Sequence, residues 1–150
     1  MIQVTVNGVI EDEESKMIGR TVQAIDNLID NSLYIRKHAS KIIPDYLLLK
    51  DFCTIKIQGC RKTGHTSAIK IVSSRFKNPV VVVPLLVMIT HPSNLLTFQL
   101  DALDSMRGFI IDAVFVDLAS IIDKKKEKDI LFLCTEFLAK DPNFCLIMLS

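Results

Sequence analysis

Apolar positions recur along this chain with two different periods, and the change from one to the other divides it. Ile2-Gln3-Val4-Thr5-Val6 alternates and runs into Asn7-Gly8, a strong hairpin signal, so a strand and a short return strand from Val9 and Ile10 are expected. The acidic run Glu11 to Ser15 suits a helix N-terminus, and Ile18, Val22, Ile25 and Ile29 share one face of the helix after it. Leu33 to Ile43 reads as a second, shorter helix, basic on one side through Arg36, Lys37 and Lys41. Pro44 ends it, and Asp45 opens another short helix through Lys50.

From Cys53 onward, short apolar runs alternate with helical patterns. Cys53 to Ile57 is a strand leading into Gly59, and Thr66 to Phe76 is a helix with Ala68, Ile69, Val72 and Phe76 inward. Val80 to Val83 has the uniform apolarity of a strand buried on both faces. Leu95 to Met106 reads as a weaker helix, and Phe109 to Val116 as a strand ending at Asp117. Lys124 to Lys140 reads as a charged loop and then a helix with Ile130, Leu133, Phe137 and Leu138 inward. Phe144 to Leu149 is the final strand. Strands joined through helices predict a mainly parallel sheet covered on both sides, a three-layer α/β domain. Residues 1–43 form an N-terminal extension of hairpin and helices packed on a core spanning 44–150.

Composition narrows the class. The 150 residues are 49% hydrophobic and 23% charged, which is ordinary globular material. A net charge of +1 gives no global electrostatic case for nucleic acid or membrane, so any such case must be local. The longest apolar stretch, Pro79 to Ile89, is broken by Pro84 and falls short of the ~20 residues a bilayer requires. No secretory leader pattern is visible, which predicts a cytoplasmic protein without a membrane partner. The four cysteines (Cys53, Cys60, Cys134, Cys145) form no CxxC pair and the three histidines are scattered. Reduced, mostly buried thiols are expected rather than a zinc site. Leu85 to Ile89 continues the apolar run past Pro84, as a buried turn or as a patch used for association.

The chemistry-bearing stretch is Gly59-Cys60-Arg61-Lys62-Thr63-Gly64-His65-Thr66-Ser67. Its glycines have the spacing of a phosphate-binding loop between a strand and a helix, where backbone N–H groups and the helix N-terminus converge on an anion. Thr66 stands where a hydroxyl would ligate Mg²⁺. Ala113 to Val116 then delivers Asp117 at a strand's C-terminal end, in the same crevice as the loop. Ser150, after the last strand, is either a third polar group at that edge or merely a chain end.

Together these residues resemble the P-loop NTPases, in the branch that inserts a strand between the phosphate loop and the acidic strand. Within it the chain is similar to helicase and viral terminase ATPase domains, through Met106-Arg107-Gly108 ahead of Phe109 to Asp117 and through Ile43-Pro44-Asp45-Tyr46. The resemblance covers roughly residues 44 to 150. It implies a P-loop core that binds ATP with Mg²⁺ through Gly59, Arg61, Lys62, Thr63, Gly64, His65, Thr66 and Ser67. It further implies Tyr46 beside the adenine and Thr66 with Asp117 at the metal.

Three positions depart from that pattern. His65 replaces the lysine that reaches the β- and γ-phosphates, and an imidazole is shorter and mostly neutral, with an ordinary pKa near ~6.5. Leu118 follows Asp117 where a water-polarising Glu is usual, and Leu47 follows Tyr46 where an adenine-reading glutamine is common. Two readings follow. One is an ATP-binding domain with weak or partner-dependent hydrolysis in viral or other nucleic-acid processing. The other is a pseudo-ATPase that binds or regulates a protein. A motor would need a further domain or a neighbouring subunit, so a protein partner or self-association is expected. Nucleic acid is a third possible ligand, through Lys124-Lys125-Lys126-Glu127-Lys128 or through Arg36, Lys37 and Lys41 beside Tyr34, although no aromatic-rich binding face is evident.

Overall fold

Every side chain from Val80 to Val83 is buried, which requires a strand covered on both faces. The computed structural model describes residues 3–6, 9–38, 42–58, 65–84, 95–117, 119 and 122–150. In it that strand, β4 (Pro79–Val83), belongs to a five-stranded, all-parallel sheet. The others are β3 (Thr54–Ile57), β5 (Leu96–Gln99), β6 (Ala113–Val116) and β7 (Cys145–Leu149), in the spatial order β3-β7-β6-β4-β5. The last strand in the chain therefore lies between β3 and β6. Registers Ile55↔Ile147, Phe115↔Ile147 and Val81↔Phe115 align the buried rows.

Alternation along the strands sorts the core into two layers. Val81, Val83, Ala113, Phe115, Cys145, Ile147 and Leu149 face one side with Ile25 and Ile29 of α1 (Glu13–His38) and Ala68, Ile69 and Val72 of α3 (His65–Val72). Val80, Val82, Val114, Val116, Leu146 and Met148 face the other side, under α4 (Lys124–Lys140). Phe115 and Phe144 are the largest fully buried side chains, and burial of such a ring contributes about 1.5–3 kcal/mol. Helices thus cover both faces of the sheet.

The predicted hairpin forms from β1 (Gln3–Val6) and β2 (Val9–Asp12), paired antiparallel with Val6 opposite Val9. It stands as its own two-stranded sheet and adds no strand to the five-stranded one. Glu11 and Asp12 belong to β2, and the helix starts at Glu13. The two helices expected over 18–43 are one. Ile25, Ile29, Ser32, Leu33 and Arg36 continue a single inward stripe through Asn31, where nothing forces a break. Arg36, Lys37 and His38 occupy its last turn, favourably placed against the helix dipole.

Pro44 caps α2 (Asp45–Leu48), which leads into a π-helical turn, Leu49–Cys53, with Leu49 and Cys53 buried. Helix α3 tightens into a 3₁₀ turn, Ser73–Arg75, after which Phe76 packs edge-on against Phe115 at 6.0 Å. Arg75 ties this turn to α1 through Asp26 at 3.3 Å and through Asp30.

Three further expectations are corrected. Residues 95–106 begin with a strand rather than a helix: Leu96-Thr97-Phe98-Gln99 pairs with β4, and parallel pairing overrides the helix-like spacing of the leucines. A 3₁₀ segment, Leu100–Gly108, follows, interrupted at Ala102. The strand expected from Phe109 starts only at Ala113. Ile110 is 85% exposed, and the Asp112 carboxylate accepts from the Lys77 and Asn78 amides, both at 2.9 Å. Lys124 to Lys128 are helical rather than a loop, because Asp123 caps α4 by accepting from the Lys126 amide at 2.8 Å. Among the described residues, no helix is long and apolar enough to cross a membrane.

Candidate functional site

All five strands run the same way, so their C-terminal ends share one edge of the sheet. Strand β6 ends at Val116 and hands over Asp117, whose amide donates to the Val82 carbonyl at 3.0 Å and whose side chain is only 1% exposed. A carboxylate so buried needs hydrogen-bond donors. One is Thr66, in the first turn of α3, whose hydroxyl Oγ1 donates to Asp117 Oδ2 at 2.9 Å. Ala68, Ile69 and Val72 anchor α3 on the sheet, and this packing sets the Thr66 hydroxyl over the end of β6.

Ser150 lies at the same edge. Its amide donates to the Ile57 carbonyl at 3.0 Å and its hydroxyl approaches the same oxygen at 3.4 Å, extending the β7–β3 pairing to the end of the loop-bearing strand. The ends of β3, β6 and β7 and the start of α3 are thereby held together. Beside them, Lys56 of β3 pairs with Glu127 of α4 at 2.5 Å.

The remaining sequence-derived positions divide. Gly59, Arg61, Lys62, Thr63 and Gly64 lie outside the described residues, as do Cys60, Lys41, residues 85–94 (which include His91) and Leu118. His65 is the first residue of α3, and Ser67 is half-buried in the same turn. Tyr46 packs on the α4 side of the sheet, opposite α3, with its ring stacked on Phe132 at 5.0 Å and 29°. The structure therefore brings Thr66 and Asp117 together and sets Tyr46 in a different layer.

Arg36 is not the surface cation that its sequence neighbours suggested. Its guanidinium donates to the carbonyls of Pro142 (2.8 Å) and Phe144 (2.7 Å), to Ser32 Oγ (3.0 Å) and to Cys145 Sγ (3.0 Å). Ser32 in turn donates to the Phe52 carbonyl at 2.5 Å. This node pins α1 to the start of β7 and to the π-helical turn. Cys53, Cys134 and Cys145 are free and buried. Burial pushes the Cys53 thiol up to about 11 and raises Cys134 and Cys145 as well, the nearby Arg36 only partly opposing it at Cys53 and Cys145. Thiols held this firmly neutral are poor nucleophiles.

Sequence reasoning missed Phe132, half-exposed on α4 with the Lys128 ammonium 5.8 Å from its ring centroid. The i, i+4 spacing of Lys128 and Phe132 was the available signal. The Lys56–Glu127 pair had none, since it depends on α4 lying along β3.

No family model, curated protein or solved structure matches this chain.

Proposed function

We propose that this chain is a degenerate P-loop NTPase-like domain that binds a nucleoside triphosphate, ATP in the first instance, at the C-terminal edge of its sheet, with weak or partner-dependent hydrolysis. The observation that carries this reading is the Thr66–Asp117 hydrogen bond at 2.9 Å. It joins the helix that follows the glycine-spaced loop to the acid at the end of β6. The position of β7 between β3 and β6 supports it further, because an inserted strand is what the resemblance implies.

A hydroxyl and a carboxylate are hard oxygen donors of the kind Mg²⁺ takes, so the pair fits that ion. Thr66 and Asp117 would hold it, and Mg²⁺ bound there supplies charge neutralisation for the terminal phosphates. The loop amides of 59–64 would cradle the phosphates, with Arg61 and Lys62 supplying positive charge that His65 provides poorly.

Calorimetric titration with Mg²⁺·ATP tests the reading. Wild-type protein is expected to bind weakly and to melt at higher temperature with millimolar nucleotide, and Asp117→Asn to lose affinity. No heat and no melting shift would remove the proposal. The second reading, a pseudo-ATPase that serves as a protein-binding or regulatory module, rests on His65 and Leu118. It requires no turnover, so ATP hydrolysis that disappears in Asp117→Asn would exclude it.

A further inference from the structure

Lys124, Lys128 and Phe132 lie one helical turn apart in succession on α4, Lys125 sits beside Lys124, and all four are exposed. Phe132 is 53% exposed, so its ring is accessible to a ligand. Tyr46 stacks on it at 5.0 Å, and Lys128 reaches over it at 5.8 Å. The acids nearest this face are largely engaged. Glu127 pairs with Lys56 at 2.5 Å, and Asp101 lies 3.8 Å from Lys126, which leaves Asp129 as the exposed counter-charge on the helix. Lys124, Lys125 and Lys128 make no ion pair among the described residues.

Paired rings flanked by flexible cations suit a ligand with flat, unstacked π-faces strung on a polyanion. Duplex bases are already stacked on one another, whereas single-stranded bases are free to stack on aromatic side chains while lysines contact the phosphates. A protein partner suits the patch less well, because lysine is depleted in protein interfaces.

We propose that this face of α4, with Phe132 and Tyr46 as the stacking platform and Lys124, Lys125 and Lys128 as phosphate contacts, binds single-stranded nucleic acid. The site is separate from the Thr66–Asp117 pair and requires no nucleoside triphosphate.

The test is fluorescence anisotropy with labelled oligothymidylate of about 20 nucleotides, without Mg²⁺ or ATP, at about 50 and 200 mM salt. Wild-type protein is expected to bind and to weaken with salt. Lys124→Gln/Lys125→Gln/Lys128→Gln should bind more weakly and lower the log–log salt slope by about 2, the share of three single-strand phosphate contacts. Phe132→Leu should lose roughly 5- to 100-fold in affinity with the slope unchanged, as expected for loss of one stacked base. Phe132→Tyr keeps a ring and should retain binding, which separates stacking from folding. Absence of wild-type binding at the lower salt overturns the proposal. So does Phe132→Leu binding like wild type, or duplex of the same length binding as tightly as the single strand. A Phe132-dependent dimer in sedimentation, without oligonucleotide binding, would reassign the patch to protein association.

Discussion

Thr66 Oγ1 and Asp117 Oδ2 meet at 2.9 Å across 51 residues of sequence, so one hydrogen bond ties the start of α3 to the end of β6. Thr66→Val keeps the shape of the side chain and deletes this donor to a buried carboxylate. A loss of about 1–3 kcal/mol in urea denaturation is expected. Thr66→Ser, which keeps the hydroxyl, should lose less. A valine variant as stable as wild type would show that the bond does not hold in solution.

On the proposed nucleotide-binding reading, His65 stands where a lysine would reach the phosphates. His65→Lys should tighten Mg²⁺·ATP binding by about 10-fold or more, the size of one charge-assisted hydrogen bond of about 1.5–3 kcal/mol. Calorimetry beside wild type reads it directly. Unchanged affinity would argue against phosphate contact at this position.

Arg36 serves two carbonyls, a hydroxyl and a thiol from one guanidinium. Arg36→Met removes every donor and should destabilise the protein by roughly 2–4 kcal/mol. Arg36→Lys should rescue little, because one ammonium cannot reproduce the planar fork. Chemical denaturation of the two variants distinguishes a network from a single contact.

The Cys53 thiol is raised by burial from 9.0 to about 11 in the folded protein. The folded state therefore holds its proton more tightly than the unfolded chain. The resulting stabilisation is fully present below pH ~9 and is lost as pH rises toward about 11. Melting temperature should fall over that window, and Cys53→Ala should flatten the fall. Thiol reagents at neutral pH should leave Cys53, Cys134 and Cys145 unmodified until the protein unfolds.

Much of the fold could be read from runs that had one physical solution. Val80 to Val83 reads as a strand buried on both faces and Phe144 to Leu149 as a further strand, and Pro79–Val83 and Cys145–Leu149 are strands, with Val80 to Val83 and Cys145 to Leu149 all buried. Leu95 to Met106 reads as a helix in sequence because Leu96, Leu100 and Leu103 also fit helical spacing, and only the pairing of Leu96 to Gln99 with β4 decides otherwise. The region reads as two helices in sequence because the face of Ile18, Val22, Ile25 and Ile29 is taken to end before Leu33, yet Ile29, Ser32 and Leu33 carry one stripe through a single helix over 13–38. At the candidate site, the glycine spacing singles out Thr66, and an apolar strand that ends in an acid singles out Asp117, since strand ends and helix starts follow from chain order. Lys128 meets Phe132 within α4, at a spacing the sequence shows, whereas Tyr46 reaches Phe132 only once α2 packs on α4, and no local pattern encodes that contact.

Strand β7 is made after the four strands it joins and lies between β3 and β6 in the sheet. Until residues 145–149 emerge, β3 has no neighbour among the described strands of the sheet. The strand that leads into the loop is therefore made early and docked late. A nascent chain stalled before Cys145 would expose the apolar flanks of both β3 and β6, which makes that interval the one in which chaperones matter most.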